Sequence, residues 1–377
     1  MDIPFNKPFI IGEEIKNVEI AFANGKISGN GFFTKKCHDF FQKKYGFRKC
    51  LLTTSCTDAL EMSAILLDIK PGDEVIIPSY TFVSTANAFV LRGARIVFCD
   101  SYITHPNIDH NLIGGLITKK TKAIVVVHYG GVACAMDEIM ALAERNNLFV
   151  IEDAAQAIDS YYKDKPLGSL GHFGTFSFHE TKNISSGEGG MLVINDGRFI
   201  ERAEIIWEKG TNRAAFWRGE VDKYNWVDIG SSFLPSEIIA AFLYAQLEKI
   251  EIIQNKRKSI WNKYYEQLFP IAVGNEVLLP IIPNFATNNG HLFYLLCRNL
   301  DEQQNLLTFL KSKGVLAVFH YLSLHSSPFF KNYGHGGSHP NSDRFSECLI
   351  RLPFFYELTE EQQLYIVGLI KEFFQNE

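Results

Sequence analysis

Four short stretches of the chain combine reactive side chains with the small residues that let a ligand come close. In Ser177-Phe178-His179-Glu180-Thr181-Lys182-Asn183 a lysine stands beyond an apolar run and just before Gly187-Glu188-Gly189-Gly190. Burial and neighbouring cations lower a lysine's pKa and free its amine to form a Schiff base. In Ile151-Glu152-Asp153-Ala154-Ala155-Gln156 a carboxylate follows an apolar run and is flanked by small residues, a setting for pairing with a protonated ring nitrogen. In Leu52-Thr53-Thr54-Ser55-Cys56-Thr57-Asp58 the N–H groups of Cys56 and Thr57 and the hydroxyls of Ser55 and Thr57 make a phosphate seat where a helix begins. In Pro78-Ser79-Tyr80-Thr81-Phe82 the ring of Phe82 is available to lie flat on a planar cofactor. Each stretch also has an ordinary structural reading: Ser55 and Asp153 as helix N-caps, Lys182 as a solvated loop lysine, Phe82 as one of 31 phenylalanines packed in a core. Together they supply what pyridoxal 5′-phosphate (PLP) needs, because its ring is an electron sink only while the ring nitrogen stays protonated.

These residues have to be positioned by secondary structure. Short β-branched runs, read as strands at Cys50–Thr53, Glu74–Ile77, Arg95–Cys99, Ala123–His128, Leu148–Glu152, Thr175–Phe178 and Met191–Ile194, alternate with amphipathic stretches at Asp58–Leu67, Val83–Leu91, Met136–Asn146 and Phe199–Glu208. Such alternation predicts an α/β domain around a mainly parallel sheet, with ligands gathered beyond the C-terminal ends of the strands. Continuous runs such as Ala123-Ile124-Val125-Val126-Val127 suit strands buried on both faces. From Glu237 to Tyr265 one long helix is expected, bridging a large domain at 1–245 and a smaller α+β domain at 246–377 that ends in a helix over Glu360–Phe374.

Composition removes other classes. The 377 residues are 46% hydrophobic and 21% charged, too apolar for a disordered chain. A net charge of −5, from 37 Lys+Arg against 42 Asp+Glu, argues against a broad nucleic-acid surface. Seven cysteines without a C-x-x-C pair read as reduced thiols rather than a disulfide framework or a metal site. No basic leader followed by an apolar core opens the sequence, and no apolar run nears the roughly 18 residues of a membrane span, so a cytoplasmic protein without membrane partners is expected. No G-x-G-x-x-G or P-loop pattern supports a nucleotide dehydrogenase or NTPase.

The same residues resemble the sugar-nucleotide aminotransferases of the DegT/DnrJ/EryC1/StrS group, PLP-dependent enzymes of fold type I (aspartate aminotransferase-like). The likeness rests on Gly72-Asp73-Glu74-Val75-Ile76-Ile77-Pro78, Glu152-Asp153-Ala154-Ala155-Gln156, Ser177-Phe178-His179, Thr181-Lys182, Gly187-Glu188-Gly189-Gly190, Gln246-Leu247, His320-Tyr321 and Leu324-His325. It implies Lys182 as the lysine that carries PLP as a Schiff base and shuttles protons, with pyridoxamine phosphate formed between half-reactions. It implies Asp153 at the pyridine nitrogen and Gln156 at the ring or its phenolic oxygen. Phe82 would stack on the ring, and Ser177 with the Cys56 and Thr57 amides would hold the phosphate. Where the group has an Asn reaching the phosphate of the neighbouring subunit, Ser232 stands in Gly230-Ser231-Ser232-Phe233-Leu234, which implies a homodimer.

The stretches Glu208-Lys209-Gly210-Thr211-Asn212-Arg213 and Gly230 to Glu237 look like the subgroup that uses L-glutamate to aminate TDP-4-oxo-6-deoxy-D-glucose to TDP-4-amino-4,6-dideoxy-D-galactose. Lys209, Arg213 and Arg218 would then reach the substrate diphosphate, and His320 would contact substrate; an ordinary solvated loop is the alternative for the three cations. A gluco C4 epimer, C3 amination, a PLP sugar dehydratase and a non-catalytic nucleotide-sugar binding protein stay open as rivals. The dehydratases of this group carry His at the lysine position, so Lys182 counts against that one.

Overall fold

The computed structural model describes residues 1–274, 277–332 and 337–375. Its main sheet has seven strands: β1 (Cys50–Thr53), β2 (Glu74–Pro78), β3 (Arg95–Cys99), β4 (Thr121–Val127), β5 (Phe149–Asp153), β6 (Phe173–Ser177) and β7 (Gly190–Ile194), in the order β1-β7-β6-β5-β4-β2-β3. β2, β3, β4, β5 and β6 are mutually parallel, and β7 runs antiparallel between β6 and β1. Six strands therefore point one way, and their C-terminal ends meet the start of β7 along a single edge.

Side-chain alternation explains the apolar runs. Ile76, Ile124, Val126 and Val150 pack into a core on one face, while Val75, Ile77, Ala123, Val125 and Ile151 pack into another on the opposite face. Both faces are covered, so hydrophobic residues are needed at every position.

A second antiparallel sheet joins β8 (Tyr294–Leu296), β9 (Val318–Phe319) and β10 (Leu349–Arg351) in the order β8-β10-β9. Its core includes Ile260, Trp261, Tyr264 and Leu268 from the helix Ile250–Val273, and Ile366 and Ile370 from the helix Glu360–Gln375. Ile3 also lies in this core, bridged to Val315, so the first residues of the chain pack with the last third rather than with the main sheet.

Several element ends differ from the sequence expectation. β5 runs one residue further than expected and takes in Asp153; β4 ends before His128, and β6 and β7 begin earlier. The first helix after β1 starts at Cys56 rather than Asp58, because Ser55 Oγ accepts the Asp58 N–H at 3.1 Å and caps it. The long helix is broken: Glu237–Glu248 and Ile250–Val273 are separated at Lys249, whose φ of −116° leaves the helical range without any glycine or proline to mark the break.

Glu237 shows how distant segments are tied. Its buried carboxylate accepts N–H groups from Gly31 (2.9 Å), Phe33 (2.7 Å) and Thr34 (3.1 Å), and the Thr34 hydroxyl. It thus caps the helix Phe32–Tyr45, which begins at a glycine with no side chain of its own. Glu237→Ala is expected to lower unfolding free energy by about 2–4 kcal/mol, the cost of stranded buried donors, and Glu237→Gln by less; urea denaturation measures both.

Candidate active site

The strand edge brings the four chemical stretches together. A cavity of about 1120 Å³ opens beyond it, and its wall includes Ser55, Cys56 and Thr57 after β1, Phe82 after β2, Asp153 and Gln156 at β5, and Ser177 and Lys182 at β6. The wall also carries His320 from the segment next to β9. Parallel strands with capped loops place these side chains without further bending of the chain.

The first-turn amides of Cys56 and Thr57 sit where a helix leaves its N–H groups without intrahelical partners, and the Thr57 hydroxyl bonds Ser84 Oγ at 2.8 Å. The β1–β7–β6 register puts Gly190 opposite both Thr53 and Ser177. A Cβ on Gly190 would lie 2.2 Å from the Ser55 carbonyl carbon and 2.4 Å from the Cys56 nitrogen, so only glycine lets β7 lie against this seat.

Asp153 is buried at the end of β5. One carboxylate oxygen accepts the Thr85 hydroxyl at 2.7 Å and the other accepts the Ala155 N–H at 3.2 Å. Burial pushes its pKa up, while those two donors and the charge of Lys182 pull it down. Lys182 has its pKa lowered, first by withdrawal from water and also by the charge of Arg351, against the opposing influence of Cys56 and Asp153. Its backbone is pinned through its neighbour: Asn183 donates to Gln254 Oε1 and to the Asn289 carbonyl, both at 2.9 Å, and bonds His291 Nδ1 at 2.8 Å.

Gln156 is held at both ends, its Oε1 accepting the Gly130 N–H at 2.6 Å and its Nε2 donating to Tyr321 Oη at 2.9 Å. Phe82 is 54% exposed, so its ring is a face of the cavity and not part of the packed core. His320 is buried against Tyr129, its Nδ1 2.5 Å from the tyrosine hydroxyl, and burial drives its pKa well below the usual value. It meets the cavity as a neutral ring.

The remaining expected residues lie outside this chain's own cavity, as a contact of Ser232 with a neighbouring subunit requires. Ser232, Lys209 and Arg213 are exposed and absent from the cavity wall of this chain. Ser232 bridges Glu208, and the Lys209 N–H donates to the Ser231 carbonyl at 3.0 Å. Arg213 lies over the rings of Trp217 and Tyr224 at 5.9 and 5.8 Å. The link to the site is through the next residue, since the Phe233 carbonyl accepts the Thr54 N–H at 3.0 Å. Arg218, expected at a diphosphate, is already paired with Glu204 at 2.8 Å and Glu220 at 2.7 Å.

Sequence reasoning did not single out Thr85, His291, Tyr321 or Arg351 as functional, although His291, Tyr321 and Arg351 line the cavity and Thr85 holds Asp153. For Arg351 a signal existed: a lone cation in Leu349-Ile350-Arg351-Leu352-Pro353.

An amine with a lowered pKa, a supported buried carboxylate and free amides at a helix start form a donor set that fits PLP. The sequence signature of the DegT/DnrJ/EryC1/StrS aminotransferase family matches residues 8–371. The chain belongs to this family. It is a PLP-dependent sugar aminotransferase of the fold type I class. GDP-perosamine synthase of Escherichia coli O157:H7 is 31% identical over 99% of this chain and 99% of its own. An uncharacterized protein of Methanocaldococcus jannaschii is 33% identical over 98% of this chain and 97% of its own. Among solved structures, the PMP-form of Spr1654 from Streptococcus pneumoniae superposes with a TM-score of 0.92 at 25% identity, over 100% of this chain and 98% of that one. Its PLP-form does so with a TM-score of 0.91.

Three outcomes follow for this aminotransferase. Gly190→Ala is expected to weaken PLP binding about 10–100-fold by displacing the seat around Ser55 and Cys56, as read by fluorescence titration of the apo chain. Cofactor capture by the apo aminotransferase is expected to speed up as pH rises, with a midpoint below the 10.5 of an ordinary lysine. Asp153→Asn removes a charge that favours protonated Lys182 and is expected to move that midpoint further down, as followed by stopped-flow absorbance.

Proposed function

We propose that the enzyme transfers an amino group from L-glutamate to the C4 ketone of TDP-4-oxo-6-deoxy-D-glucose, giving TDP-4-amino-4,6-dideoxy-D-galactose and 2-oxoglutarate. The observation that carries the transfer is the amine of Lys182 beside the supported carboxylate of Asp153 in one cavity. At about 1120 Å³ the cavity exceeds the roughly 300–1,000 Å³ of common ligand pockets, which suits a cofactor together with a second substrate. The TDP-linked sugar is supported by the residues at 208–213 and 230–237.

When bound, the cofactor takes up the electron pair released at the carbon that carries the transferred nitrogen. Lys182 would hold the cofactor between turnovers, and its amine would take the proton from the donor's Cα in one half-reaction and return a proton to C4 of the sugar in the other. Asp153 would accept the hydrogen bond of a protonated ring nitrogen, its carboxylate fixed by Thr85 and Ala155. Ser55, Ser177 and the Cys56 and Thr57 amides would hold the phosphate, and Phe82, Gln156 and Tyr321 would border the ring. The exchange balances without an oxidant, since the donor's H–C–NH2 carbon and the acceptor's C=O carbon trade their substituents.

Ser232, Lys209 and Arg213 act in this reading across the interface of a homodimer, Ser232 at the partner's cofactor phosphate and the two cations at the substrate diphosphate. Their exposure away from this chain's own cavity supports that assignment. His320, being neutral, contributes shape to the substrate wall rather than charge. Residues 1–245 and 246–377 flank the cavity in this reading, a division supported by the break at Lys249 and corrected at the start of the chain, since Ile3 packs in the core of the second unit. Buried thiols such as Cys37, Cys50 and Cys134 agree with a cytoplasmic setting, and among the described residues no helix is long and apolar enough to cross a membrane.

The similarity to GDP-perosamine synthase favours one second reading, in which the nucleotide is GDP. Supplying L-glutamate with either the TDP-linked or the GDP-linked 4-oxo sugar, and assigning the C4 configuration of the product by NMR, separates the two. A 4-amino product from the TDP sugar, in the galacto configuration, is expected. Lys182→Ala is expected to abolish turnover and to retain no cofactor after borohydride treatment. Asp153→Asn is expected to slow turnover by about 10² or more.

A further inference from the structure

Asn183, the residue after Lys182, has its side-chain amide held in one orientation. The amide nitrogen donates to Gln254 Oε1 and to the Asn289 carbonyl, both at 2.9 Å, and a backbone carbonyl can only accept. The amide oxygen is therefore the atom that faces His291 Nδ1 at 2.8 Å, so Nδ1 carries the proton. Burial, first, and then the charges of Lys182, Arg257 and Arg351 hold the His291 pKa well below its usual value, so the ring is neutral and Nε2 keeps a lone pair. Among the described residues Nε2 has no hydrogen-bond partner, and the ring forms part of the cavity wall. The segment that carries it is fixed from the helix Ile250–Val273. Arg257 Nε and Nη2 donate to the Gly290 and His291 carbonyls at 2.9 and 2.7 Å, and the His291 N–H donates to Asn289 Oδ1 at 3.0 Å. A buried histidine thus sits in one tautomer, with an unused acceptor, in the cavity that holds Lys182.

We propose that His291 is a positioning residue for Lys182, its Nε2 accepting a hydrogen bond from the Lys182 ammonium and holding it between the two proton transfers. This deepens the proposed aminotransfer and rests on Lys182 as its proton carrier. Once the amine has taken the donor's Cα proton it is a cation where burial and Arg351 disfavour one, and of the groups that favour it, Asp153 is engaged elsewhere in that reading. A hydrogen bond to a charged donor is among the stronger ones, and a neutral acceptor supplies it while the proton stays on the amine. The opposite tautomer would present an N–H to the ammonium, and a protonated ring would repel it. Asn183 excludes the first, and burial among Lys182, Arg257 and Arg351 excludes the second. Because Asn183 follows Lys182 directly, the residue that sets the tautomer also anchors the backbone from which the amine reaches into the cavity.

The test compares His291→Asn and His291→Gln with the parent enzyme. The Asn amide nitrogen can reach Asn183 in place of Nδ1 and leaves nothing at the position of Nε2; the Gln amide reaches that position and can accept there. In the apo chain, the pH midpoint of PLP capture, followed by stopped-flow absorbance, is expected to fall by about one unit in His291→Asn, because the ammonium loses its acceptor. His291→Gln is expected to recover at least part of that shift. In separate half-reactions His291→Asn is expected to lose about tenfold or more in kcat with glutamate and with the keto sugar alike, both KM values staying close to the parent's. In the parent chain, nitrogen-15 NMR of the histidine rings is expected to place the His291 proton on Nδ1 at neutral pH, a reading that needs no variant to fold. An unmoved or raised midpoint in His291→Asn, a loss confined to KM, a Gln form worse than the Asn form, or a proton on Nε2 would overturn the assignment. Failure of the parent enzyme itself to consume glutamate overturns the proposed reaction instead, while the capture midpoint and the ring proton still decide the role of His291. Circular dichroism verifies that each variant is folded.

Discussion

Six strands that point the same way and one that returns between two of them set almost everything else in this molecule. Because β7 enters at the edge where β1 and β6 leave, Gly190 lies against the Ser55–Cys56 backbone and within the register of Ser177. That contact admits no side chain. The helix start after β1, the carboxylate ending β5 and the loop after β6 are thereby drawn to one cavity, and the apolar faces on both sides of the sheet keep the edge rigid. A site built on strand ends inherits the precision of the sheet.

The cavity then sets protonation by opposition. Withdrawal from water favours neutral Lys182 and neutral Asp153, and each tends to restore the charge on the other. The balance is adjusted by fixed donors: Thr85 and the Ala155 amide favour the carboxylate, and Arg351 disfavours an ammonium at Lys182. Neutral His320 and His291 add polarity to the wall without adding charge. Burial thus narrows the gap between the two groups, while a cationic ring nitrogen beside Asp153 would favour its carboxylate form.

Away from the cavity the same economy of charge holds. Glu237 spends its carboxylate on a helix that lacks a capping side chain, and Arg218 is neutralised by Glu204 and Glu220. Arg351 stands apart from these, a half-buried cation whose polar atoms are left largely unmatched.

The order of strands and helices, the seat at Ser55 to Thr57, and Asp153 and Lys182 were legible in the linear sequence, since apolar runs bounded by small polar residues report on local backbone preference. Strand ends were less so: Asp153 falls inside β5 because pairing with its neighbour β4, not its own propensity, decides where a strand stops. The break at Lys249 carried no breaker residue. Contacts between residues far apart in the chain were invisible to any local rule: Thr85 with Asp153, Asn183 with His291, and Arg351 brought near Lys182 from the second sheet. Tertiary structure also placed Lys209 and Arg213 outside the cavity of their own chain, where linear spacing could not locate them. Linear spacing reports which chemistry a chain carries, whereas burial and the folding of distant segments decide which of those groups share one low-dielectric space, and therefore which of them can act on each other.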